Sequence, residues 1–132
     1  MKRILFLAIL GFLAIDCIAQ NQTVQAKDSA EIIFDEIDHN FGVVNYKGDA
    51  TFEFIFKNTG KTPLIIKHVQ SSCGCTTPSF TAEPIAPKGK GKIVVKYDTE
   101  RPGSFIKNIK VFSNAKNSPV DLTIRGEIKQ AQ

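Results

Sequence analysis

A chain of 132 residues with a formal net charge of +4 is long enough for one domain and too short for two. Its charge excess is too small to mark a nucleic-acid binder by itself.

The first nineteen residues read as an export signal. Lys2 and Arg3 form a basic start, Ile4 to Ile15 are uncharged and mostly apolar, and Ala19 offers a small residue for cleavage. The apolar run is shorter than the roughly 20 residues that span a bilayer, so no transmembrane segment is expected after cleavage. Retention through a lipidated Cys17 is the alternative, although Asp16 stands where a lipoprotein signal places a small neutral residue. Cleavage after Ala19 leaves 113 residues (132 minus 19), and Cys73 and Cys75 as the only thiols. The expected location is periplasmic or extracellular, at the cell surface, where thiols meet oxidising conditions.

Gln20 to Ala30 are polar without periodicity and read as a flexible lead-in, so the folded domain is expected over 31–129. Short apolar segments separated by turn residues follow. Ile32 to Ile37 reads as a strand, Asp38-His39-Asn40 as a turn, and Phe41 to Tyr46 as a second strand with a bulge or close approach at Gly42. Thr51 to Lys57 alternates most clearly: Phe52, Phe54 and Phe56 share one face, and Glu53 and Lys57 the other. Pro63 opens a strand over Leu64 to Gln70. Residues 76–91, with Pro78, Pro84 and Pro87, read as irregular connection anchored by Phe80 and Ile85. Strands are expected again over Lys92 to Asp98, over Phe105 to Phe112 with Phe105, Ile109 and Val111 inward, and over a last segment with Val120, Leu122, Ile124 and Ile128 inward. No stretch keeps a helical period. The pattern predicts an all-β protein, a single immunoglobulin-like sandwich of about seven antiparallel strands. Tryptophan is absent and no cysteine pair is spaced across two strands, which excludes an antibody-type domain.

The residues that suggest chemistry are Ser72, Cys73, Gly74, Cys75 and Thr76. Two thiols one residue apart can form a disulfide, hold a soft metal such as copper or zinc, exchange with other thiols, or stay as a buried pair. As a staple such a bond is weak, because its loop of about three residues removes only roughly 1.5 kcal/mol of chain entropy. A zinc site needs more ligands. His68 is the nearest, but regular alternation points it away from Cys73. His39 is remote in sequence. Lys88-Gly89-Lys90-Gly91-Lys92 lacks phosphate-loop spacing and leads into a strand, so it reads as a solvated turn, with weak affinity for an anionic surface as the alternative. Asp35, Asp38 and Asp49 sit near turns and are too few for calcium.

The order of Phe34-Asp35, His39-Asn40-Phe41-Gly42-Val43-Val44, Phe54-Ile55-Phe56-Lys57-Asn58-Thr59-Gly60, Pro63-Leu64, Ser72-Cys73-Gly74-Cys75-Thr76, Lys90-Gly91 and Ser113-Asn114 resembles a bacterial family of exported proteins, domain-of-unknown-function family 1573. That family is similar to Ig-like domains of the Hydin and major-sperm-protein type. The resemblance covers Ile33 to Ile128 and implies a seven-stranded Ig-like sandwich without implying an activity.

The expectation is therefore a non-enzymatic binding or structural module of the cell envelope, without a cofactor. Its partner would be a protein or another envelope component and not nucleic acid. Its contact surfaces would be the Cys73–Pro78 loop and an exposed sheet edge at Ile32–Ile37. The alternative is copper or zinc binding, or thiol redox chemistry, at the Cys-Gly-Cys loop.

Overall fold

A computed structural model describes residues 28–132. The expected signal segment, Cys17 and the lead-in before Asp28 lie outside the described residues. Eight strands form: β1 (Ile32–Phe34), β2 (Asp38–Val44), β3 (Thr51–Asn58), β4 (Ile66–Ser71), β5 (Thr76–Phe80), β6 (Lys90–Tyr97), β7 (Gly103–Ser113) and β8 (Val120–Ile128). They make two four-stranded sheets, ordered β1-β3-β6-β5 and β2-β8-β7-β4. The all-β sandwich expected from the alternation is present, with one strand more than expected and with β2 parallel to β8.

The extra strand is β5, in the stretch expected as irregular connection, and the first apolar segment departs from expectation as well. Ile32 to Ile37 is not one strand. The chain pairs with β3 as far as Asp35, whose N–H donates to the Ile55 carbonyl at 3.0 Å, and then crosses to the other sheet, where the Ile37 carbonyl accepts from Thr123 at 2.8 Å. Asp38-His39-Asn40 is consequently strand and not turn. Tertiary contacts overrule the turn preference of these residues: the Asp38 carboxylate meets the Arg125 guanidinium, and the His39 ring stacks on Phe52 at 3.5 Å. The expected irregularity at Gly42 is there. Gly42 has φ 66°, its N–H is held by the Asn40 side chain at 2.8 Å, and the β2–β8 register slips between Asn40 and Val43.

Residues 76–91 hold the other departure, since Thr76–Phe80 pairs with β6 as strand β5. Pro78 is tolerated because β5 is an edge strand, where one face of the backbone has no ladder to serve. Ile85 does anchor the connection that follows. It is buried and exchanges hydrogen bonds of 2.8 Å with Leu64 in both directions, whereas Phe80 stays 36% exposed.

The core is the layer between the sheets. Phe54 and Phe56 of β3, Ile93 and Val95 of β6, Ile109 and Val111 of β7, and Leu122, Ile124 and Ile128 of β8 are all buried, as period two places them. Val120 and Phe52 pack at its margin. Asn58 is the polar group at the centre of the β1 end. Its side-chain NH2 donates to the Thr62 and Ile85 carbonyls at 2.8 and 3.0 Å, and its oxygen accepts from Gly60 at 3.0 Å. A fully buried amide is thereby satisfied.

The end of the lead-in is not loose. Ala30 is buried, and the Ser29 carbonyl accepts from Lys61 at 3.0 Å. No helix among the described residues is long and apolar enough to cross a membrane.

Candidate functional site

The Cys-Gly-Cys segment is the crossover from β4 in one sheet to β5 in the other. Its entry is fixed to β7: Ser72 N–H donates to the Asn108 carbonyl at 2.9 Å, and Asn108 N–H donates to the Ser72 hydroxyl at 3.2 Å. Its exit is fixed to the end of β6, where Asp98 N–H donates to the Cys75 carbonyl at 2.8 Å. The Ser71 hydroxyl lies within hydrogen-bond reach of the Cys73 carbonyl and of the Thr76 carbonyl, the latter at 3.1 Å.

Cys73 and Cys75 are joined as a disulfide, with their Cα atoms 5.3 Å apart. The two sulfurs sit in unequal surroundings. Cys75 is 5% exposed and joins the core, while Cys73 is half-buried. The Cys75 N–H points at Cys73 Sγ at 3.3 Å, and the Thr76 hydroxyl is 3.9 Å from each sulfur. Gly74, at the tip, is exposed, and a Cβ there would meet nothing within 4 Å.

A groove of about 640 Å³ runs from this loop across the outer face of the β1-β3-β6-β5 sheet, lined by Gly74, Cys75, Thr51, Thr77, Ser79, Val94 and Lys96, with Tyr97 and Asp98 at its end. The Asp98 carboxyl is held below its ordinary range by the Glu100 backbone N–H at 3.0 Å and then by the Arg101 guanidinium at 3.1 Å. Burial pushes the Tyr97 phenol up, its ring stacked on Phe105 at 3.7 Å.

The same sheet face carries a row of lysines, two of which sequence reasoning placed in a solvated turn over Lys88–Lys92. Lys90 and Lys92 belong to β6, and with Lys96 they occupy its outward positions, beside Lys57 of β3. The signal was available: Lys-x-Lys-x-Val-x-Lys over residues 90–96 alternates with buried Ile93 and Val95. Glu53 is the one carboxylate among the outward positions of these strands and pairs with Lys92 at 2.9 Å. On the opposite sheet Arg125 pairs with Asp38 and Lys110 with Asp121 at 3.5 Å, while Lys67 of β4 and Lys107 of β7 have no ion pair among the described residues. The Asp38 carboxylate also raises the pKa of Arg125 further.

The remaining sequence candidates do not converge on the loop. His68 is exposed on β4 and stacks on Phe112 at 5.9 Å. His39 packs on Phe52, with Nδ1 3.1 Å from Glu36. Among the described residues no three His, Cys, Asp or Glu side chains gather as a metal site.

The sheet edge at Ile32–Ile37 is largely closed. Glu31 and Asp35 face β3, through Thr59 at 2.9 Å and Ile55 at 3.0 Å, so Ile32 and Phe34 turn their backbone groups outward. Both outward groups of Ile32 are taken by the Asn117 side chain, at 3.1 Å for its N–H and 2.7 Å for its carbonyl. Lys116 N–H covers the Ala30 carbonyl at 2.9 Å. A partner strand therefore finds little free backbone on this edge.

Residues 32–128 match the family described as protein of unknown function (DUF1573). No curated protein matches the chain. Among solved structures, a protein of unknown function from Porphyromonas gingivalis W83 is similar over 82% of this chain, with a TM-score of 0.69 and 15% identity. The aligned part is 51% of that structure, so this chain spans about half its length. A PapD-like domain of human CEP192 is similar over 79% of this chain and 89% of its own, with a TM-score of 0.65 and 11% identity. The Pseudomonas aeruginosa CupB2 chaperone is similar over 76% of this chain and 57% of its own, with a TM-score of 0.54 and 10% identity. At such identities the likeness is one of fold. The chain belongs to the DUF1573 family, an Ig-like β-sandwich of PapD-like form.

Proposed function

We propose that the chain is an exported, non-enzymatic binding module of the cell envelope, and that it meets an acidic protein or other anionic envelope component through the outer face of the β1-β3-β6-β5 sheet. The observation that carries the reading is the lysine row. Among the described residues no carboxylate lies within ion-pair distance of Lys57, Lys90 or Lys96, and the row borders the groove at the Cys73–Cys75 loop. A face of net positive charge, with Ile55 and Val94 between the charges, suits an anionic partner. Export is supported by the sequence of residues 1–19 and by the disulfide, which persists in oxidising compartments. The fold neighbours include the Pseudomonas aeruginosa CupB2 chaperone, and a role in protein contact is compatible with that likeness.

The test is photo-crosslinking in the producing cell. A crosslinking residue is placed at Thr77 or Val94 on the lysine face, and at Thr123 on the opposite face. The expected result is a discrete adduct from the first two positions that disappears when Lys57, Lys90 and Lys96 are changed to Ser. An adduct from Thr123 alone, or none from Thr77 and Val94, removes this face as the contact surface.

A further inference from the structure

The Cys73–Cys75 bond lies where the fold already holds the chain. Four hydrogen bonds fix the loop without it: two between Ser72 and Asn108, one from Asp98 N–H to the Cys75 carbonyl, and one from the Ser71 hydroxyl. A ring of three residues adds little constraint to the unfolded chain. Opening the bond would leave these anchors in place and the two sulfurs close together. The loop is therefore built to exist in both redox states without unfolding.

The sulfurs are also differentiated. Cys75 is in the core, 5% exposed, while Cys73 is half-buried beside the open Gly74. The Cys75 N–H, 3.3 Å from Cys73 Sγ, favours negative charge on that sulfur. Cys73, the less buried residue of the pair, thus carries both the sulfur more open to an incoming thiolate and the one best able to leave as a thiolate.

We propose that Cys73–Cys75 is an exchange-active disulfide that oxidises a dithiol on a partner protein, with Cys73 as the sulfur attacked and Cys75 as the buried second sulfur. A partner thiolate attacks Cys73 Sγ. The S–S bond breaks, and its electron pair leaves on Cys75 Sγ, which takes a proton from water. The partner's second thiolate then attacks the partner sulfur of the mixed disulfide, and Cys73 departs as a thiolate held by the Cys75 N–H. The partner loses two electrons and two thiol protons and gains a disulfide. The chain gains the two electrons, Cys73 then takes a second proton from water and the chain ends as a dithiol, so each domain delivers one disulfide per cycle and needs reoxidation to act again. This chemistry goes beyond the binding role and stands or falls separately from it, since the crosslinking test does not involve the thiols.

The test uses the exported protein with its disulfide intact. It is equilibrated in glutathione buffers of graded reduced-to-oxidised ratio, quenched by alkylation and weighed. The expected result is conversion to the dithiol within that range, with unchanged circular dichroism. A bond that persists in the most reducing buffer is structural and overturns the proposal. The variants Cys75→Ser and Cys73→Ser then assign the sulfurs. With oxidised glutathione, Cys73 in the first variant should form a mixed disulfide at least tenfold faster than Cys75 in the second. Equal rates, or a faster Cys75, overturn the assignment. Should either variant fail to fold, the glutathione titration of the wild-type protein still decides whether the bond exchanges.

Discussion

At the scale of single residues, two glycines have opposite tolerances. Gly91 lies in β6 opposite Phe56, and a Cβ added there would run into the Phe56 ring, which is fully buried and cannot swing away. Gly91→Ala should therefore cost about 1–3 kcal/mol, the usual range for forced overpacking. Gly74→Ala should be close to neutral, because the space around it is open and its backbone is not in the left-handed region. Urea unfolding of the two variants checks the contrast. Tyr97 sets an alkaline limit on stability. Burial raises its pKa above the ordinary 10.0, so the unfolded chain releases the phenol proton before the folded one does. The unfolded state then binds fewer protons, and stability falls as pH rises through 10 towards the folded value. Tyr97→Phe keeps the ring stacked on Phe105 and removes that proton. The expected outcome is a shallower loss of stability above pH 10 than in the wild type, measured by denaturant midpoints at stepped pH.

At the scale of elements, the closure of β1 shows how an edge strand is protected without a charge or a proline on it. The β7–β8 connection reaches across the opening between the sheets, and the Asn117 carboxamide imitates a strand residue by bonding both the N–H and the carbonyl of Ile32. Asn117→Ala should cost about 1–2 kcal/mol for the two lost bonds. It should also speed hydrogen exchange at Ile32 while leaving Ile33, which faces β3, protected. Equal protection of Ile32 in both proteins would mean that the carboxamide is not what closes the edge. By the same geometry Ile33→Pro would remove a bond inside the β1–β3 ladder, and the expected outcome is a loss of fold stability.

At the scale of the whole molecule, stability rests on the layer between the sheets and not on the disulfide. The core residues are contributed by both sheets, and the bond closes a ring of only three residues. Changing both Cys73 and Cys75 to Ser should therefore lower stability by no more than about 1.5 kcal/mol, a small shift in Tm for a domain of this size. A large loss in a thermal melt would show that Cys75, as a buried apolar group, matters to the core more than the bond does. Charge is distributed at this scale too. One sheet face leaves Lys57, Lys90 and Lys96 without an ion pair among the described residues, clustered on two adjacent strands, while the other sheet pairs Arg125 with Asp38 and Lys110 with Asp121. Binding through the lysine face should accordingly weaken with ionic strength, because exposed charges are screened over about 8–10 Å at physiological salt.

The sequence by itself determined the fold class, the inward rows of β3, β7 and β8, and the irregularity at Gly42. Each is a local consequence of side chains alternating between a wet and a dry face. It also singled out Cys73 and Cys75, whose residue types and spacing admit few chemistries. Tertiary structure decided what depends on distant partners. The split of Ile32–Ile37 between two sheets needs Ile55 on one side and Thr123 on the other. The strand state of Asp38-His39-Asn40 needs Arg125 and Phe52. β5 needs a place at the sheet edge, where Pro78 does no harm. The unequal burial of the two sulfurs, the closed β1 edge and the lysine face beside the groove arise only when strands far apart in sequence lie side by side. Those pairings are set by the packing of both sheets at once, and no local propensity encodes them.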